Sequence, residues 1–124
     1  MEEAMGSIKF LIFYLAGALA AAAAHIYGDP NSTIPIVGAS GAVAAVMGAF
    51  LVTYPRDSIR TLILAPAPRM IYIPAIVLIG LWIVLQVVSV STEPQQANTG
   101  GVAYLAHIGG AAFGIVTGRL FIWR

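Results

Sequence analysis

No charged side chain occurs between Ile34 and Tyr54, or between Met70 and Val90. Two more apolar stretches flank these: Phe10 to Ile26 behind Lys9, and Val102 to Trp123 with His107 inside and Arg119 near its end. About 20 helical residues cross the hydrocarbon core of a bilayer, and each stretch approaches that length. Backbone in lipid must satisfy its own hydrogen bonds, which makes such stretches helices rather than isolated strands. Composition agrees, since 60% of the 124 residues are hydrophobic and only 9% are charged. A soluble domain carries about 25% charged residues. So few charges cannot cover the surface of a soluble protein this small. The expectation is an all-α, polytopic membrane helix bundle. It forms a single domain over 1–124, with spans near 8–27, 36–54, 70–90 and 102–123.

The same arithmetic excludes several functions. A net charge of +1 is too small to draw nucleic-acid phosphates, so no nucleic-acid partner is expected. With no Cys there are no disulfides, thiolate metal sites or cysteine nucleophiles. Asp29, Glu93, His25 and His107 lack the helical ligand spacing of a metal site, so no metal is expected. His25 reads as an interfacial residue at the end of the first span. Lys9, the apolar run and Ala20 to Ala24 look superficially like a secretory signal. Glu2 and Glu3 make a poor basic start for one, however, and the rest of the chain stays in the membrane.

Three segments rich in turn formers separate the spans: Gly28 to Thr33, Pro55 to Arg69 with its Ala-Pro-Ala-Pro run, and Ser91 to Gly101. All three read as loops. The six cations are Lys9, Arg56, Arg60, Arg69, Arg119 and Arg124. With four crossings, every one falls on the side shared by the N-terminus, the second loop and the C-terminus. The opposite loops hold Asp29 and Glu93. The positive-inside rule then makes both termini cytoplasmic.

Two chemically capable side chains lie inside the spans. Ser40 is about six residues into the second and His107 about five into the fourth, both roughly 8–9 Å below the non-cytoplasmic surface. An intramembrane ionisable residue with a partner is a functional hypothesis by default. Small residues flank both: Gly41, Ala44, Ala45 and Gly48 after Ser40; Gly110, Gly114 and Gly118 after His107. Such stripes let membrane helices approach closely. If the two faces meet, a neutral imidazole can accept the Ser40 Oγ proton during attack on a carbonyl. Free backbone N–H groups near Gly38, Ser40 and Gly41 would stabilise the oxyanion. Each residue also has a plainer reading. A membrane serine often bonds its own i−4 carbonyl, and an interfacial histidine often snorkels. At matching depth on matching faces, the catalytic reading leads. Gln86, deep in the third span, needs a partner and reads as interhelical glue. Tyr72, Trp82, Tyr104 and Trp123 read as packing or interfacial residues.

Gly38-Ala39-Ser40-Gly41, opening a helix that ends in Tyr54-Pro55-Arg56, resembles the rhomboid intramembrane serine proteases. So does Ala106-His107-Ile108-Gly109-Gly110 followed by Gly114. The four spans are similar to the third to sixth helices of the family's six-helix core, with Glu2 to His25 leading into the third. The resemblance implies a Ser–His dyad without Asp, with Ser40 as nucleophile and His107 as general base. It also implies transmembrane protein substrates, cleavage near the non-cytoplasmic face of the bilayer, and no cofactor. Counterparts of the family's first two helices, including one that supplies oxyanion donors, are not identified here. The resemblance thus suggests a fragment, a truncated gene model or a shortened paralogue. For a fragment, the partner expected is the N-terminal helices of the same protein. Ala44 stands where the family often has an aromatic. The leading expectation is therefore an intramembrane serine endopeptidase. The alternatives are an inactive rhomboid-like pseudoprotease that binds transmembrane clients, and a small channel or transporter subunit. The last lacks the midplane charges expected of it.

Overall fold

The computed structural model describes residues 1–31, 39–92 and 104–122. A short helix α1 (Glu2–Met5) turns at Gly6, whose φ of 83° suits glycine, into α2 (Ser7–Gly28). Then follow α3 (Ser40–Thr53), a hairpin of β1 (Ser58–Ile63) and β2 (Arg69–Pro74), α4 (Ala75–Thr92) and α5 (Tyr104–Phe121). Among the described residues, Ser7–Gly28 is the one helix long and apolar enough to cross a membrane. Ser40–Thr53 and Ala75–Ser91 are shorter apolar helices.

The hairpin corrects the expectation of an all-α chain with a span from residue 70. β1 and β2 pair antiparallel in the register Ile59↔Ile73, Arg60↔Tyr72 and Leu62↔Met70. Residues 58–63 and 69–74 are rich in β-branched and aromatic side chains and alternate in exposure, as a half-buried strand does. Hydropathy merges β2 with the apolar run after it, because a short apolar segment reads alike as strand or helix. Pro74 marks the boundary, and α4 starts at Ala75. Its first N–H groups, orphaned within the helix, donate to the hairpin approach: Ala75 N–H to Asp57 O at 2.8 Å and Ile76 N–H to Pro55 O at 3.0 Å.

Small residues set the packing of α2, α3 and α5. Phe13 of α2 is fully buried and meets Phe113 and Phe121 of α5 at ring-centroid distances of 5.5 and 5.2 Å. Toward the other end, Gly17 lies against Ala45, Gly41 against Ala21, and Gly109 against Ala24. Arg119 Nε donates to Val52 O at 3.0 Å, and its guanidinium also engages the same carbonyl, tying the last turns of α5 and α3 together. Met1, Phe50 and Ile59 share the lining of one cavity. The start of α2, the ends of α3 and α5, and the hairpin therefore share one end of the molecule. Lys9, Arg56, Arg60, Arg69 and Arg119 all belong to that end.

Candidate active site

The opposite end holds the N-termini of α3 and α5. Ser40 is the first residue of α3 and is exposed. The residue before it, Ala39, lies outside the helix with φ −89° and ψ 5°, and its carbonyl accepts the first intrahelical bond, from Val43 N–H at 2.8 Å. First-turn N–H groups have no intrahelical acceptor, so this end of α3 presents donors beside the Ser40 hydroxyl. The backbone of Ser40 and Gly41 lies in that turn. Gly38 lies outside the described residues.

His107 is half-buried in the first turn of α5. Close packing sets its height relative to Ser40. A Cβ on Gly41 would sit 3.6 Å from Ala106 O, and one on Gly110 would fall onto Gly41 O. Ala106 precedes His107 and Gly110 follows it by three residues, so His107 and Ser40 stand at the same level on adjoining helices. Further along, Gly48 lies against Ala111, Gly114 against the Ala45 carbonyl and Gly118 against Ala49. Only glycine lets two helix backbones meet this closely.

The hydrogen-bond partner of the imidazole belongs to a third helix. His107 Nδ1 and Gln86 Oε1 are 2.7 Å apart. An amide oxygen only accepts, so Nδ1 carries the proton and donates it, leaving the Nε2 lone pair free. Gln86 is 9% exposed, and α4 also sends Trp82, one turn earlier, onto the same ring at a centroid distance of 5.5 Å. Among the described residues no hydrogen bond joins Ser40 to His107. Such bonds are often long before substrate binds. The interhelical partner expected of Gln86 is thus the histidine itself. The spacing of residues along α4 could not identify that partner. The one available signal was a lone amide in an uncharged apolar span.

His25 departs from its expected interfacial setting. It is 3% exposed, continuing the buried stripe Phe13, Gly17, Ala21 along α2, and neither ring nitrogen has a hydrogen-bond partner among the described residues. A four-residue period, invisible to hydropathy, turns it inward.

An open apolar pocket of about 440 Å³ lies between parts of α3 and α4, lined by Met47, Phe50, Leu78, Ile79 and Trp82 among others. Trp82 thereby joins the cavity wall to the imidazole.

A family model described as the Rhomboid domain matches residues 1–124. Comparison with curated proteins and with solved structures yields no match. The Rhomboid family includes serine proteases that act on transmembrane substrates within the bilayer. Matched over its whole sequence, this chain belongs to the Rhomboid family and is an integral membrane protein.

Proposed function

We propose that the chain is an intramembrane serine endopeptidase that cleaves transmembrane segments of other membrane proteins. In this reading it is a four-span bundle with both termini cytoplasmic. Five of its cations gather at one end, and Ser40 and His107 lie at the other. One observation carries the reading: the Gly41–Gly110 contact, which holds a nucleophile and a base level with each other at the N-termini of two adjoining helices.

The chemistry follows from the tautomer. With Nδ1–H donating to Gln86, Nε2 accepts the Ser40 Oγ proton as Oγ bonds the substrate carbonyl carbon. The resulting oxyanion is stabilised by the backbone N–H groups of Ser40 and Gly41 in the first turn of α3. The imidazolium returns its proton to the leaving amine as the C–N bond breaks, and water then hydrolyses the acyl ester by the same route. Gln86 acts as a positioning residue, fixing the tautomer as a carboxylate does in a serine-protease triad. No metal or cofactor enters the scheme.

A second reading rests on the Ser40–His107 pair not being hydrogen-bonded: a pseudoprotease that binds transmembrane clients without cutting them. Reconstitution in liposomes with single-span substrates separates the two. The protease reading expects a product from cleavage near the non-cytoplasmic face, lost in Ser40→Ala. Client binding without any product from folded protein would favour the pseudoprotease.

A further inference from the structure

We propose that the β1–β2 hairpin is a binding surface for anionic lipid headgroups, lying along the membrane surface at the cation-rich end. This rests on the four-span topology proposed above but not on proteolysis.

The two faces of the hairpin differ. Ile59, Thr61, Ile71 and Ile73 are half-buried, and Ile59 reaches the wall of the α3–α4 cavity. The other face pairs Arg60 with Tyr72 and Leu62 with Met70, all four exposed. Tyr72 is 69% exposed, and Leu64 in the connecting turn 70%. Exposed leucine, methionine and tyrosine around arginine would be unfavourable in water, where such a face invites aggregation. The same set suits a bilayer interface, where aromatic rings sit at headgroup level and cations meet lipid phosphates.

Attachment and charge identify the occupant. The base of the hairpin is tethered to the start of α4, because Asp57 and Pro55 accept hydrogen bonds from its first turn. Six residues of strand span about 20 Å, so an upright hairpin would lift its apolar face into water, whereas a flat one lays that face on lipid. Between residues 55 and 74 stand Arg56, Arg60 and Arg69 against the single carboxylate of Asp57. No ion pair among the described residues occupies these arginines. A second copy would bring the same cations together, whereas anionic headgroups neutralise them.

The chain has no cysteine, so a nitroxide can be placed uniquely after Leu64→Cys in the full-length protein. Its accessibility to oxygen and to a water-soluble nickel complex reports depth. The proposal expects immersion at the headgroup boundary in nanodiscs containing phosphatidylglycerol and a largely water-exposed label in pure phosphatidylcholine. Headgroup attraction is worth about fivefold per arginine, so Arg60→Gln with Arg69→Gln should lower the ratio of immersed to exposed label about thirtyfold. Lysine at both positions should restore it. Helical circular dichroism checks the fold of each variant. Equal depth in the two bilayers would overturn the proposal, as would a label that stays in water throughout. Nitroxide–nitroxide coupling between copies would overturn it in favour of a dimer.

Discussion

Helices α3 and α5 meet backbone to backbone, whereas α4 leaves an open apolar pocket of about 440 Å³ against α3 and reaches α5 through a hydrogen bond and an aromatic ring. The first contact is closed by glycine: Gly48, Gly110 and Gly114 leave no room for a methyl group. On α4, Gly80 has nothing within 4 Å of where a Cβ would be. The contrast divides the labour of the site. The α3–α5 seam holds Ser40 and His107 in register, and α4 sets the tautomer of the histidine while leaving apolar space beside it. In lipid, where apolar side chains gain little by leaving the solvent, only close van der Waals fit and polar links hold helices together. Each side of the molecule uses one of these two devices.

Substitutions can break this comparison at graded cost. The largest effect is expected for His107→Ala, which removes the proposed general base. Cleavage should fall by about 10² to 10⁴, with the thermal unfolding midpoint in detergent nearly unchanged. An unaltered rate would remove His107 from the mechanism.

Next comes Gly114→Ala, whose methyl would fall onto the Ala45 carbonyl. Destabilisation of about 2–3 kcal/mol is expected from such overpacking, read as a lowered midpoint. A neutral result would mean the seam is looser than its geometry.

Gln86→Leu tests the α4 link. Losing one hydrogen bond is worth about 1 kcal/mol, so kcat should drop about tenfold or less while KM holds. A change confined to KM would make Gln86 a substrate contact instead. The smallest effect is expected for Gly80→Ala, which should leave activity intact and add up to about 1 kcal/mol of helix stability.

How much of this was readable beforehand depends on the physical signal each feature leaves. The stretches that became α2, α3 and α5 were visible because apolar length is local information. The faces of α3 and α5 were visible because small residues recur at helical spacing. Ser40 and His107 stood out as polar groups in lipid. The hairpin did not, since Met70 to Pro74 is as apolar as the helix it precedes, and its strand pairing is a relation between segments. The partner of Gln86 lies 21 residues away on another helix. No periodicity along α4 could have named it. The place of His25 near the end of an apolar run carries no sign of its burial, which its position in a four-residue stripe decides.

The central claim is that Ser40 is a nucleophile activated by His107. Fluorophosphonate labelling of the purified protein, with the modified residue mapped by mass spectrometry, tests it most directly. The account predicts an adduct on Ser40, absent in Ser40→Ala and slowed at least about 100-fold in His107→Ala. Well-folded protein that forms no adduct, or forms it on another serine, would contradict the claim.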